Sequence, residues 1–172
     1  MLRVVTTALM TLMLVSCPKH VSKKQEPELQ YRPWAYDPLV KVCPTSPVTV
    51  DEVQWALDVW AKQGAPQLQA IDSLCYDTEF DRGSVIVDIP QQWMSMEWEY
   101  NMRALTVLFY DRPVGTPHLA YIGLPTADPS TLLHEVGHIW LSGHVEDRPH
   151  ALSLYIEDFA WDFDGVKPLF RR

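Results

Sequence analysis

The sequence has little of the features that would assign it to several common classes of protein. Its 172 residues include three cysteines, too few for a disulfide-built scaffold or for a zinc module with four cysteine ligands. With 14 basic residues against 22 acidic ones, the formal net charge is −8, so we expect no nucleic-acid binding. A hydrophobic content of 47% and an aromatic content of 11% exclude a wholly disordered chain. A small acidic globular protein of one domain remains, which we expect to be monomeric.

The first seventeen residues have the pattern of an export signal. Twelve uncharged residues follow Arg3, a length typical of a signal peptide and too short to cross a bilayer as a helix. The segment ends in the letters LVSC, which resemble the lipobox of bacterial lipoproteins. The resemblance implies that residues 1–16 are removed and that Cys17 is lipidated. The mature protein would then be membrane-anchored in the bacterial cell envelope or at the cell surface. An ordinary secretion signal is the alternative.

Two cysteines remain once Cys17 is assigned to the anchor. Cys43 and Cys75 form an even pair in an exported protein, and exported proteins meet an oxidising compartment. We therefore predict a disulfide between them. A loop of about thirty residues closed in this way gains roughly 3 kcal/mol from chain entropy. Two buried thiols are the alternative.

A proline-rich stretch separates the anchor from the domain. Residues 18–38 contain four of the fourteen prolines among several charged residues, and they keep no helical or strand period. We interpret residues 17–38 as a lipidated tether. The alternative is an ordered arm on the domain, especially near Tyr31, Trp34 and Tyr36, which are too apolar to be left in solvent.

Hydrophobic spacing predicts an α+β domain over residues 39–172, with one sheet packed on helices. A first helix should begin at a capping box of Thr49 and Glu52 and end near Gly64. A second should begin at Asp128 and run to Trp140. Strands are predicted at residues 39–42, 85–89, 105–110 and 119–122.

The second predicted helix carries an H-E-x-x-H motif at His134, Glu135 and His138. Residues four apart project from one face of a helix, so both imidazoles could bind one Zn²⁺ with Glu135 beside its water ligand. From six histidines and nine glutamates, chance produces the motif in roughly one shuffled sequence in a hundred. The motif therefore predicts a zinc site.

A third histidine extends the motif to HEVGHIWLSGH, ending at His144. This stretch resembles the signature H-E-x-x-H-x-x-G-x-x-H of the metzincin metallopeptidases, and it is most similar to the matrixin-like branch. The resemblance implies that His134, His138 and His144 bind one catalytic zinc and that Glu135 is the general base. Zinc-bound water would attack peptide bonds of a peptide or protein substrate. It also implies a twisted, mostly parallel sheet with one antiparallel edge strand, packed on an N-terminal helix and the zinc-binding helix.

Two positions depart from the family pattern. Leu141 stands where the family has glycine, and Gly143 follows two residues later. Either Leu141 adopts a costly left-handed conformation, or the helix continues and Gly143 makes a later turn. No methionine follows Met102, so the family's Met-turn is expected within 151–155, with Leu152 or Leu154 replacing methionine and Tyr155 as the tyrosine that follows it.

Three alternatives to this interpretation stay open. Glu157 could be the third ligand, as in another clan of zinc peptidases. The protein could instead be a lipid-anchored module that binds zinc without catalysis, or the histidines could bind no metal. Nearby Glu146, Asp147 and His150 are interpreted as a solvated loop. An exposed strand could hold an extended substrate by main-chain pairing, and residues 118–122 are the candidate.

Overall fold

The chain folds around a mixed, mostly parallel β-sheet that packs against two helices, an α+β arrangement. The structure is a computed structural model that describes residues 29–34, 36–75, 83–89, 104–110, 115–145, 148–153 and 159–171, with the backbone of residues 13–16. The elements in chain order are β1 (Met13–Ser16), β2 (Gln30–Tyr31), β3 (Leu39–Val42), α1 (Val50–Lys62), β4 (Ala70–Asp72), β5 (Ser84–Asp88), β6 (Leu105–Tyr110), β7 (Pro117–Gly123), α2 (Pro129–Gly137), β8 (Leu141–Ser142) and a 3-10 helix (Lys167–Arg171).

Several predictions concern residues beyond these ranges. The predicted lipidation site Cys17 and residues 17–28 of the predicted tether lie outside the described residues. The same holds for five residues discussed near the HEVGH motif: Glu146, Asp147, Leu154, Tyr155 and Glu157. Within the ranges that are described, no helix is long and apolar enough to cross a lipid bilayer.

Five strands of the domain form the sheet in the order β4-β3-β5-β7-β6. The first four run parallel, and β6 pairs antiparallel with β7. All four predicted strands are confirmed, with ends that differ by one or two residues. The short strand β4 was not predicted, because three residues are too few to show a period.

The backbone of β1 lies along the outer edge of β6. The pairing is antiparallel, with Met13 opposite Leu108 and Ser16 opposite Leu105. These residues belong to the predicted signal peptide, which we expected outside the fold. They extend the sheet beyond β6 by one strand.

Helix α1 begins at the predicted capping box, which is confirmed. The Thr49 side chain accepts a hydrogen bond from the backbone N–H of Glu52 at 3.3 Å, and the Thr49 N–H donates to the Glu52 carboxylate at 2.7 Å. The helix ends at Lys62, and Gly64 follows with a φ of +103°. Its buried face consists of Val53, Ala56, Leu57 and Trp60.

The two faces of the sheet are covered differently. Both helices pack on one face, where strand residues such as Val40, Val85 and Ile122 are fully buried. The other face carries a smaller apolar cluster that contains Cys43 and Cys75. The disulfide between these two cysteines is confirmed, with 5.5 Å between their Cα atoms. It joins the end of β3 to the chain just after β4.

Residues 29–34 belong to the folded unit, so the ordered arm is the correct interpretation for this part of the predicted tether. Strand β2 pairs antiparallel with β8, and Leu29, Tyr31 and Trp34 pack against the core. The Trp34 indole donates to the carbonyl of Ile139 at 2.7 Å, and the Arg32 N–H donates to the carbonyl of Trp140 at 2.6 Å. The arm therefore holds the chain just beyond α2.

Helix α2 is fixed against α1 by a close contact at Gly137. A Cβ atom at this position would lie 2.8 Å from Cε2 of Trp60 and 2.9 Å from Cδ2 of Leu152. The Trp60 indole also donates to the carbonyl of Leu133 at 2.8 Å. Glycine lets the indole approach the helix backbone, so the glycine of the HEVGH motif has a packing role.

We therefore expect Gly137→Ala to destabilise the protein by about 1–3 kcal/mol, because the added methyl group would displace a fully buried indole. Thermal and denaturant unfolding measure the loss. Ser130→Ala, in the half-buried first turn of the same helix, is the matched control and should change stability far less. An unchanged unfolding midpoint for Gly137→Ala would contradict this account of the contact.

Candidate metal centre

Helix α2 begins as predicted and ends earlier. The Asp128 side chain accepts hydrogen bonds from the N–H groups of Ser130 and Thr131 at 3.3 and 3.2 Å, so Asp128 is the N-cap. The α-helix ends at Gly137 rather than at Trp140. The next three residues form tighter turns, in which each N–H donates to the carbonyl three residues before it.

The chain then reverses at Gly143. Leu141 and Ser142 are extended as β8, and Gly143 has a φ of +88°. Of the two alternatives for the departure from the family pattern, the later turn at Gly143 is therefore present and Leu141 carries no left-handed strain. The α-helix itself ends at Gly137 and does not extend to the turn at Gly143. The reversal returns the chain to α2 and brings His144 beside the two histidines of the motif.

The three predicted ligands converge. Nε2 of His138 lies 3.1 Å from Nε2 of His134 and 3.2 Å from Nε2 of His144. The side-chain nitrogens of all three lie within 4.8 Å of one another, and the residues are 2%, 0% and 6% exposed in chain order. This triad could hold a metal ion.

Backbone carbonyls orient two of the rings. Nδ1 of His134 lies 3.2 Å from the carbonyl oxygen of Ala151, and Nδ1 of His138 lies 2.9 Å from that of Leu141. A carbonyl oxygen can only accept, so the proton of each neutral ring is on Nδ1. The unprotonated Nε2 atoms are then the ones that face one another, as ligands of a shared ion would.

Burial keeps these imidazoles neutral. Desolvation, with the neighbouring His138 and His144, lowers the pKa of His134 well below its usual value. Desolvation and His144 lower the pKa of His138 to about 3. Two nitrogens of a tetrahedral zinc site are about 3.3–3.4 Å apart, and the two Nε2 separations from His138 are close to this value.

Glu135 is buried and contacts the sheet. The residue is 1% exposed, and the Thr106 hydroxyl on β6 contacts its Oε2 at 2.6 Å. Burial raises the pKa of Glu135 to about 8, against the opposing effect of this hydrogen bond. Sequence reasoning missed Thr106, because a threonine in a β-branched strand carries no local signal of function.

Residues 150–153 pack against α2 and contact His134. Leu152 is fully buried against α2 near Gly137, and the carbonyl of Ala151 contacts His134. His150 was predicted to lie in a solvated loop, which is wrong. It is fully buried, accepts a hydrogen bond from the Leu152 N–H at 2.9 Å, and contacts the Asp164 carbonyl at 3.3 Å. It therefore fixes this turn and is not part of the triad.

The predicted substrate strand at residues 118–122 is also wrong. These residues belong to β7, which pairs with β5 on one side and with β6 on the other. Both of its backbone edges are occupied, so it cannot accept a further strand. Strand β6 follows β7 on this side of the sheet, and its other edge pairs with β1.

Neither a protein-family model, nor a curated protein, nor a solved structure matches this chain. The chemistry of the site is therefore inferred from its own residues.

We expect His144→Ala to weaken the binding of added zinc at least about 100-fold relative to the wild type, because one of the three converging histidines is removed. Zinc stoichiometry and competition with a chromophoric chelator measure this. His118→Ala is the matched control, since His118 lies on β7 outside the triad and its loss should leave zinc affinity unchanged. Equal zinc affinity of His144→Ala and the wild type would exclude His144 as a ligand.

The raised pKa of Glu135 predicts a pH-dependent difference in stability between the metal-free wild type and Glu135→Gln. The unfolded chain loses this proton near pH 4.5, whereas the folded protein keeps it until about pH 8. The wild type should therefore lose stability relative to Glu135→Gln as the pH rises through this window, by at most about 1.4 kcal/mol per pH unit. The histidines are common to both proteins and cancel.

Denaturant unfolding of the two metal-free proteins at pH 5, 6.5 and 8 measures the difference. Bound zinc should reduce it, since a nearby dication favours the ionised carboxylate. Parallel stability curves for the two metal-free proteins would contradict the burial of an uncharged Glu135.

Proposed function

We propose that this protein is a zinc-dependent endopeptidase that hydrolyses peptide bonds in peptide or protein substrates. The observation that carries the proposal is the convergence of three buried histidine side chains, with Glu135 next to the first of them on α2. Three neutral ligands leave the ion its full charge and one coordination position for water or substrate, the arrangement of catalytic zinc sites.

The architecture supports a metzincin-like interpretation. The sheet is mostly parallel with one antiparallel edge strand, and α1 and α2 pack together on one of its faces. Leu152 lies beneath α2, where the resemblance expects the apolar residue of the Met-turn. The third ligand follows a glycine turn, although that glycine is Gly143 and not residue 141.

In the proposed reaction, Glu135 carries the proton. When bound, zinc acidifies a water molecule and stabilises negative charge on the substrate carbonyl oxygen. The Glu135 carboxylate accepts the proton of that water and then gives it to the leaving amine. A dication beside Glu135 lowers its pKa from the raised value and favours the carboxylate that a base requires.

The outer edge of β6 replaces residues 118–122 as the candidate for holding an extended substrate. This edge accepts an antiparallel partner in the full-length chain, where residues 13–16 pair with it. Main-chain hydrogen bonds to a strand edge bind extended peptides with little dependence on their sequence. Strand β6 also carries Thr106, so the substrate and the carboxyl of Glu135 would be positioned by one strand.

We further propose that the protein acts as a monomer, tethered to a membrane of the bacterial cell envelope by a lipid on Cys17. The disulfide between Cys43 and Cys75 supports an oxidising compartment. The arm at residues 29–34 implies that residues 17–28 are the longest tether available between the lipid and the domain.

A second candidate function is a zinc-binding module without catalysis. The nearly complete burial of the three histidines and Glu135 favours it, because a substrate must reach the metal in a peptidase. A peptidase that uses Glu157 as third ligand is less favoured, since His144 already completes the triad.

Glu135→Ala should retain zinc and lose peptide cleavage by at least about 100-fold, because the proton carrier is removed while the three ligands stay. Zinc stoichiometry and digestion of a proteome-derived peptide library measure the two properties. Asp72→Asn, on the exposed end of β4, is the matched control and should cleave normally. A chelator should abolish cleavage, and added zinc should restore it.

Two results would contradict the proposal. Cleavage retained by Glu135→Ala would remove Glu135 from the mechanism. A zinc-loaded wild type that cleaves none of the library peptides would favour the non-catalytic module.

A further inference from the structure

Thr106 is a buried polar residue in an apolar strand. It is fully buried, and its neighbours on β6 include Leu105, Val107 and Leu108. Valine has nearly the same shape and an equal preference for strands, so packing and strand formation do not require the hydroxyl. A buried hydroxyl needs a hydrogen-bond partner to offset its desolvation, and here both of its partners are atoms of one residue.

The hydroxyl contacts Glu135 twice. Oγ1 of Thr106 lies 2.6 Å from Oε2 of the carboxyl group and 3.0 Å from the carbonyl oxygen of the same residue. The shorter distance is typical of a strong hydrogen bond to a carboxyl oxygen. Through one hydroxyl, the carboxyl group is therefore tied both to β6 and to the backbone of α2.

The two elements that carry these groups are themselves well fixed. Strand β6 pairs along β7, and β-branched Thr106 has restricted side-chain torsions. Helix α2 is fixed at Gly137 by the Trp60 indole. The Glu135 side chain has three rotatable bonds and would otherwise adopt several conformations. The contact with Thr106 selects one of them.

We propose that Thr106 is a positioning residue for Glu135, a proposal that rests on the proposed function of the site. Its hydroxyl holds the carboxyl group at the place from which Glu135 accepts and returns a proton. A hydroxyl can donate to a carboxylate, and it can accept from a carboxylic acid while donating to the nearby carbonyl of Glu135. Thr106 can thus support Glu135 before and after proton transfer, without taking part in the transfer.

The test compares Thr106→Val with Thr106→Ser in the zinc-loaded, full-length protein. Valine removes the hydroxyl and keeps the shape, whereas serine keeps the hydroxyl. Since a misplacement of about 1 Å can cost 100-fold in rate, we expect Thr106→Val to lower kcat about 10- to 100-fold with KM within about twofold. Thr106→Ser should stay within about threefold of the wild type. Zinc content should be unchanged in both variants, and Thr106→Ser should keep the melting temperature of the wild type.

A second measurement is independent of turnover. Acetohydroxamic acid binds metals through its two oxygens and gives a proton or a hydrogen bond to an adjacent carboxylate. Its titration into the cobalt-substituted protein, followed by the visible absorption of cobalt, reports whether Glu135 is in place. We expect Thr106→Val to weaken hydroxamate binding about tenfold, as Glu135→Gln does, and Thr106→Ser to bind like the wild type.

The outcomes separate this proposal from the proposed function. Wild-type kcat and hydroxamate affinity in Thr106→Val would overturn the positioning role. A loss of zinc or of thermal stability shared by Thr106→Val and Thr106→Ser would overturn it in favour of a packing role. If the wild type cleaves no peptide, the proposed function fails, and hydroxamate affinity still decides whether Thr106 positions Glu135.

Discussion

The convergence of three buried imidazole nitrogens is the constraint on which the rest of the structure depends. Their burial removes polar ring nitrogens from water, and desolvation lowers the pKa of His134 and of His138, so assembling the cluster costs free energy. The arrangement therefore has to be held by other contacts. Carbonyls of Ala151 and Leu141 orient His134 and His138, and both carbonyls lie beyond the C-terminal end of α2. The chain after α2 therefore contacts the helix at two places, first at Leu141 and again at Ala151.

How far the sequence predicts this structure depends on whether a feature is local. The capping box at Thr49, the N-cap at Asp128 and the spacing of the three histidines are short-range patterns, and the structure has the elements and the triad that they predict. The disulfide was predicted from the number of cysteines and the expected oxidising compartment, without knowledge of where the two cysteines lie in space. Pairings between distant segments were not predictable, because strand order leaves no trace in the period of one strand. For this reason residues 118–122 were wrongly assigned to an exposed edge.

Buried polar residues show the same limit. His150 lies among charged residues in the sequence, which favours a solvated loop, yet its ring nitrogens fix the backbone of the turn at 150–153. Thr106 has the side chain of an ordinary strand residue, and its hydroxyl contacts Glu135, which follows 29 positions later. In both cases the partner, and not the residue type, defines the function. A single sequence contains the residue types but not the partners.

Leu141, where the metzincin signature that the motif resembles has glycine, has a structural role in this protein. In an extended conformation it pairs with Tyr31 of the arm, while its carbonyl accepts from Nδ1 of His138. A glycine turn at this position would leave no strand for the arm to join, and Gly143 makes the turn instead. The segment between His138 and His144 is therefore bound by strand β2 of the arm. Contacts of Arg32 and Trp34 with carbonyls 140 and 139 strengthen this link. The histidine triad and the arm at residues 29–34 thus share one backbone segment, so displacing the arm would disturb His138 directly.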